Sequence, residues 1–76
     1  MNQLNDILSR VLQIPVESIT DDTSPETVAS WDSFNGLLLV SELEQSFQVK
    51  FTMAEIVAVK KVRDIKEALV RHGVQL

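Results

Sequence analysis

The chain contains no cysteine and no tyrosine, and it has only two glycines, two prolines and one tryptophan among 76 residues. Without cysteine it can form no disulfide and no zinc–thiolate site, and it supplies no thiol nucleophile of its own. The scarcity of glycine and proline, together with 45% hydrophobic residues, argues against disorder. The composition predicts one folded domain spanning residues 1–76, near the lower size limit for a single core.

Long apolar runs are also missing. No segment approaches the roughly 18 to 20 apolar residues of a membrane span, and the N-terminus lacks a signal-peptide pattern. We therefore expect a cytoplasmic monomer that does not insert into membranes. Residues 1–49 hold eight acids against Arg10, whereas residues 50–76 hold six bases against three acids. The acidic half disfavours nucleic acid and favours basic partners, unless this uneven charge is only a solvated surface.

The spacing of apolar residues predicts the first helix, and capping and helix-terminating residues predict where other helices begin and end. Helix one is expected over 3–13, followed by Pro15, and its stripe consists of Leu4, Ile7, Leu8, Val11 and Leu12. Thr52 and Glu55 fit a capping box that starts a short helix over 53–58. Val62, Ile65 and Leu69 predict a last helix over 61–72 that ends at Gly73. The only β-like run, 49–52, is too short and lacks a partner strand.

A helix over 33–47 would carry two apolar faces. Its core face would contain Leu39, Val40, Leu43, Phe47 and Gly36. The opposite face predicts a docking surface, with Glu42 and Glu44 at its edges. We assign to this surface Phe34, Leu37, Leu38, Ser41 and Glu44. The alternative is structural: Phe34 would fold onto the preceding loop, and Leu37 or Leu38 would pack on helix three. The expected fold is thus an all-α four-helix bundle with a long first loop and a short third helix.

The loop from Pro15 to Asp32 exceeds the roughly 12 to 15 residues beyond which structureless connections tend to be functional. It leads directly to Ser33. If Asp32 caps helix two, Ser33 lies in the first helical turn, where free amides and the helix dipole suit a phosphate ester. Asp32 could then help to hold a divalent ion during the modification. The alternative is that Asp32 and Ser33 are only capping residues.

Four segments in this order resemble the acyl carrier protein family along essentially the whole chain. They are Val11–Pro15, Ile19–Thr23, Trp31–Phe34 and Leu43–Phe47, the last being similar to the family's Leu-Glu-x-x-Phe pattern. The resemblance implies a right-handed bundle in which Ser33 receives 4′-phosphopantetheine from a transferase that uses coenzyme A and magnesium. The arm would bring the thiol that the chain lacks, carry acyl thioesters and present them to a ligase, ketosynthase or acyltransferase. Helix two would be the main recognition surface, and the protein itself would not be an enzyme.

Two departures from the family pattern bear on partners. Phe34 stands where leucine is most common, and Asn35, Leu38 and Gln45 occupy positions that are commonly acidic. Docking should therefore depend more on apolar contact than on charge. We expect a specialised pathway, such as a polyketide-like, fatty-acyl or envelope-precursor route.

Several alternatives stay open or are weak at this point. An aminoacyl or D-alanyl carrier would use the same serine, and an unmodified helical interaction module would need only the docking surface. A serine hydrolase would need a base, but the single histidine, His72, is expected to pack or cap the last helix. Asp21 and Asp22 lack the ligand spacing of a calcium loop, so no metal site and no catalytic residue are predicted. The sequence does not decide whether cargo would be sheltered among Leu39, Val40, Leu43, Ile56 and Val62.

Overall fold

The computed structural model describes residues 3–75 and contains four α-helices. Helix α1 is Gln3–Leu12, α2 is Ser33–Phe47, α3 is Met53–Ala58 and α4 is Val62–Arg71. A short 3₁₀ turn, Val16–Ser18, interrupts the first loop and was not predicted. No strand occurs within residues 3–75. The four-helix prediction is confirmed, with α1 and α4 slightly shorter than expected.

The core forms where the apolar stripes of α1, α2 and α4 meet. Spacings of three and four residues place these side chains on one side of each helix, so that they pack together away from water. The loop adds Trp31, which is only 8% exposed. The buried apolar side chains are Leu4, Ile7, Leu8, Leu12, Trp31, Leu39, Leu43, Val62, Ile65, Ala68 and Leu69. Helix α2 contributes only Leu39 and Leu43 to this group, although it is the longest helix.

The long loop caps the start of α4. Lys61 at the N-cap of α4 makes no side-chain cap bond. Instead, the Val62 amide donates to the carbonyl of Thr23 at 2.9 Å, and the Arg63 amide donates to the carbonyl of Asp21 at 3.0 Å. These bonds pair amides that a helix start leaves without intrahelical partners. The two aspartates also form ion pairs with α4, Asp21 with Lys66 at 2.6 Å and Asp22 with Arg63 at 3.3 Å.

Helix α3 is held by its ends, since it has no buried residue. The predicted capping box is present: the Glu55 amide donates to the Thr52 hydroxyl at 3.2 Å, and the Thr52 amide donates to Glu55 at 2.9 Å. Glu55 also contacts His72, the C-cap residue of α4. The His72 ring packs edge-on against Phe51 at 5.3 Å between ring centroids. Helix α3 is thereby linked to the far end of α4.

Candidate functional site

Ser33 is the first residue of α2, and its side chain is exposed. The preceding Asp32 is the N-cap, and its Oδ1 accepts a hydrogen bond from the Asn35 amide at 2.9 Å. The backbone of Asp32 is extended, so the helix begins sharply at Ser33. The hydroxyl therefore lies at the positive end of the helix dipole, as expected from the sequence.

Two side-chain hydrogen bonds, here called the Ser30–Asn35 relay, fix the start of α2 relative to the end of α1. The Ser30 hydroxyl donates to the Leu12 carbonyl at 2.6 Å, and the Asn35 side-chain amide donates to the Ser30 carbonyl at 2.6 Å. This role of Ser30 and Asn35 was not predicted from the sequence. A partial signal was present, because serine and asparagine beside a helix start commonly bond to nearby backbone groups. The relay holds the residues that flank Ser33 in one position.

An apolar cavity of about 160 Å³ opens beside Ser33. Its wall combines residues of α2, α3 and α4 with Trp31 and Phe51. Among residues 3–75, Ser33 and Glu55 are the members of the lining that have side-chain oxygen atoms. Of the five residues considered from the sequence as a shelter for cargo, four line the cavity, namely Leu39, Val40, Leu43 and Ile56. Val62, which is fully buried in the core, is not part of the lining.

The second apolar face of α2 is exposed. Phe34 is 70% exposed, Leu37 65% and Leu38 44%, and Ser41 is also exposed. Phe34 therefore does not fold onto the loop. Leu37 also lies at the edge of the cavity, so this face reaches the opening next to Ser33.

Helix α3 adds further exposed apolar residues that were not predicted from the sequence. Met53 is 73% exposed and Val57 is 64% exposed. Their spacing of four residues places them on one side of α3. That spacing was visible in the sequence, but a six-residue helix gives too short a pattern to separate a buried side from an exposed one.

Both acidic residues at the edges of the α2 face have partners inside the fold. The Glu44 carboxylate is half-buried and accepts a hydrogen bond from the Phe51 amide at 2.9 Å. Glu42 pairs with Arg10 of α1 at 2.7 Å. Glu44 thus fastens the segment that leads into α3, and it lies less open to partners than Phe34 or Leu37.

Glu55 is the charged group of the cavity wall. Its side chain is 19% exposed, and both carboxylate oxygens lie 3.0 Å from His72 Nε2. The Thr52 amide, followed by the bond with His72, lowers the pKa of Glu55 below its ordinary value.

The arrangement does not assemble a hydrolase site. In residues 3–75, His72 Nε2 bonds to Glu55 and not to Ser33, so the histidine has the capping and packing role expected from the sequence. Asp21 and Asp22 are held by the bases of α4. The same residues contain no cluster of three or more acidic or histidine side chains placed to hold a metal ion. Nor does any helix in that range have the length and apolar character to cross a membrane.

The fold has a close counterpart among solved structures. This solved structure is described as an acyl carrier protein from Mycobacterium tuberculosis, and it superimposes on the present chain with a TM-score of 0.81. The match covers 91% of this chain and 92% of that chain, at 22% sequence identity. This likeness shows the fold. A comparison with curated protein sequences finds no significant match.

The family comparison agrees with the geometry. The family model described as the phosphopantetheine attachment site matches residues 2–69, which is nearly the whole chain. Such domains carry a covalently attached 4′-phosphopantetheine group and do not themselves catalyse reactions. The chain therefore belongs to the phosphopantetheine attachment site family and has the fold of an acyl carrier protein.

Proposed function

We propose that Ser33 is the attachment residue and that the arm it carries holds an acyl chain. The observation that carries this proposal is the position of Ser33: an exposed hydroxyl at a helix start that also lines an apolar cavity. The two features serve different needs, since the exposed hydroxyl is accessible to a transferase while the cavity offers shelter to hydrocarbon. A serine that acted only as a helix residue would not require the second feature.

The residues around Ser33 fit a phosphodiester. The first-turn amides of α2 and the helix dipole favour the negative charge. Asp32 keeps α2 capped through Oδ1, while its other carboxylate oxygen remains available to assist the magnesium-dependent transferase. When attached, phosphopantetheine supplies the thiol on which an acyl group is held as a thioester. The relay through Ser30 and Asn35 keeps the attachment point fixed against α1.

The cavity favours an acyl cargo over an aminoacyl or D-alanyl cargo. Its lining is hydrocarbon apart from Ser33 and Glu55, and the Glu55 carboxylate is already bonded to the Thr52 amide and to His72. An ammonium group would therefore have to compete with these bonds for its partner or be buried at a cost of several kcal/mol. The cavity volume of about 160 Å³ is close to that of engineered cavities of about 150 Å³ that accept benzene. We therefore propose an acyl chain of which about six carbons are sheltered.

The exposed face of α2 is proposed as the docking surface for the transferase and for acyl-loading and acyl-processing enzymes. Phe34, Leu37 and Leu38 supply most of its apolar area, with Ser41 beside them and Glu44 at its edge. Contact should be mainly apolar, since Glu42 and Glu44 are engaged within the fold. This character favours a specialised pathway, such as a polyketide-like or envelope-precursor route, over bulk fatty-acid synthesis.

The attachment is tested by intact mass spectrometry after incubation with coenzyme A, magnesium and a broad-specificity phosphopantetheinyl transferase. We expect the mass of one phosphopantetheine to be added, with the modified peptide containing Ser33. Ser33→Ala should remain unmodified. Ser46→Ala, which removes another exposed hydroxyl of α2 outside the proposed docking surface, should be modified normally. Absence of a mass gain in the wild-type chain would refute the proposal, whereas an unmodified but functional chain would support the interaction-module alternative.

The docking surface is tested by steady-state kinetics of the same transferase. Leu37→Ser should lower kcat/KM by about tenfold, because an apolar contact worth about 1.4 kcal/mol is lost. Val70→Ser is the matched control, since Val70 is 59% exposed but lies on α4. Equal effects of the two substitutions would argue against a docking role for α2.

A further inference from the structure

The single tryptophan of the chain has an unused hydrogen-bond donor at the cavity. Trp31 is 92% buried, being only 8% exposed, and it forms part of the cavity wall. Among the residues that the structure describes, none accepts a hydrogen bond from its indole Nε1. A buried indole N–H usually has a protein partner. The Nε1 atom itself is not fully buried, so solvent reaches it in the unmodified chain, and an entering group that accepts its hydrogen bond would take the place of that water.

Gly36 leaves the N–H edge of this indole uncovered. A methyl group placed at the Cα of Gly36 would lie 3.8 Å from Nε1 and 4.0 Å from Cδ1 of Trp31. The Nε1 edge of the ring is thus the part that lies against α2 at Gly36. Gly36 and Ser33 also line the cavity, and they are one helical turn apart on the same side of α2. The donor consequently lies within the region that the group on Ser33 would enter.

We infer that the Trp31 indole N–H donates a hydrogen bond to a carbonyl oxygen of the group that enters this cavity. The inference deepens the proposed function and rests on it for the identity of that group. In an otherwise apolar pocket, one well-placed polar group fixes orientation and confers specificity. Of the other polar groups in the lining, the Ser33 hydroxyl is used by the attachment and the Glu55 carboxylate can only accept hydrogen bonds, so Trp31 makes the cavity favour a carbonyl-bearing chain over a plain alkyl chain of equal size. The carbonyl can belong to the phosphopantetheine arm or to the acyl chain.

The donor can be tested on the unmodified full-length chain, without any reaction at Ser33. The probes are 2-hexanone and 2-methyl-1-hexene, which differ only in a C=O or C=CH₂ group and suit the cavity volume of about 160 Å³. Because the chain has one tryptophan, its ¹⁵N-labelled form gives a single indole N–H resonance. We expect 2-hexanone to move this proton downfield and to slow its exchange with water. Equal responses to the ketone and the alkene would overturn the inference.

Trp31→Phe provides the matched variant, since it keeps an aromatic ring and removes the donor. Binding of 2-hexanone should weaken about fivefold, whereas binding of 2-methyl-1-hexene should change by less than about twofold. The ratio of the two affinities is the readout, because a general loss of packing would weaken both ligands alike. A ratio unchanged from the wild type would contradict the inference. The wild-type resonance measurement remains decisive if the variant folds poorly.

The source of the carbonyl is distinguished by comparing three modified forms of the wild-type chain. Phosphopantetheinylated protein should shift the indole resonance if the arm supplies the acceptor. A shift that appears only with a hexanoyl group assigns the thioester carbonyl, and one that requires 3-oxohexanoyl assigns the chain carbonyl. No shift in any form would overturn the assignment to the carried group. Failure of the modification itself would appear as a missing mass gain, which is independent of the ketone titration.

Discussion

The imidazole Nε2 of His72 lies 3.0 Å from both carboxylate oxygens of Glu55, and this contact joins α3 to the C-terminal end of α4. The same carboxylate accepts the Thr52 amide at 2.9 Å, which closes the capping box of α3. The Glu55 carboxylate thus stabilises the start of α3 by bonding to the Thr52 backbone amide, and it connects α3 to α4 by bonding to the His72 side chain. Since α3 contributes Glu55 and Ile56 to the cavity wall, this carboxylate also holds that wall in place.

This relationship predicts an acid-dependent loss of stability. The Thr52 amide and then His72 hold the pKa of Glu55 below its ordinary value of 4.5. A lowered pKa in the folded state contributes stability above the unfolded-state value, and that contribution is lost as the pH falls through the folded-state value. Urea-unfolding midpoints should therefore decrease as the pH is lowered below about 4.5. Glu55→Gln should be less stable than the wild type at pH 6 and should show a smaller further decrease.

The control for this measurement is Glu26→Gln. Glu26 is an exposed loop residue, and no side-chain hydrogen bond or ion pair involves it in the part of the chain that the structure describes. The Glu26→Gln variant should show the same decrease of the urea-unfolding midpoint with falling pH as the wild type. If Glu55→Gln and Glu26→Gln lose stability in parallel with the wild type, the Glu55 contacts do not contribute to the acid response.

Thr23 is the buried polar anchor of the long loop, and its hydroxyl has a structural role. It is 6% exposed, and its Oγ1 accepts a hydrogen bond from the Thr20 amide at 2.9 Å. Thr23→Val keeps the shape but leaves that amide without its partner, so we expect a loss of about 1 to 3 kcal/mol in the free energy of unfolding. Urea denaturation would measure it.

Thr27→Val is a matched control for Thr23→Val. The Thr27 hydroxyl also accepts a hydrogen bond from a backbone amide, that of Ser24 at 3.1 Å, but Thr27 is exposed whereas Thr23 is buried. Water can replace the lost bond, so the cost should be below about 0.5 kcal/mol. Equal losses in the two variants would mean that burial does not determine the contribution of Thr23.

Local sequence signals predicted the helices well because each depended on neighbouring residues. The stripe of α1, the Asp32 cap of α2 and the box of Thr52 and Glu55 involve residues no more than a few positions apart. The exposed face of α2 was also predictable, since a helix of this length has more apolar residues than one buried side can hold.

Features that depend on how distant segments pack could not be predicted in the same way. The bond from the Phe51 amide to Glu44 joins α2 to a segment outside that helix, so a helical wheel shows Glu44 only as an edge residue. The loop carbonyl groups that accept hydrogen bonds from the first amides of α4 lie about 40 residues earlier in the chain. The cavity is a space between helices and depends on their separation, which no periodicity reports.

The ion pair between Asp21 and Lys66 predicts a salt-dependent contribution to stability. Lys66 Nζ lies 2.6 Å from Asp21 Oδ1, and the hydrogen bond from Lys66 is the main reason that the pKa of Asp21 is lowered. Asp21→Asn should be less stable than the wild type at low ionic strength. The difference should shrink in about 0.5 M NaCl, because salt screens exposed charges. Asp22→Asn removes the longer pair with Arg63, at 3.3 Å, and should have a smaller effect. A difference that is the same at both ionic strengths would contradict an electrostatic origin.

The two glycines of the chain should respond in opposite ways to alanine. Gly36 lies inside α2, and an added methyl group would meet Trp31 at 3.8 Å, an ordinary contact distance. Gly36→Ala should therefore raise the free energy of unfolding by about 0.5 to 1 kcal/mol through higher helix propensity. Gly73 follows the end of α4 with φ near +87°, so Gly73→Ala should lower it by about 1 to 2 kcal/mol. Urea denaturation of both variants compares them directly. A destabilising Gly36→Ala would show that the indole has less room than the structure gives it, since the same methyl group is favoured by the helix backbone.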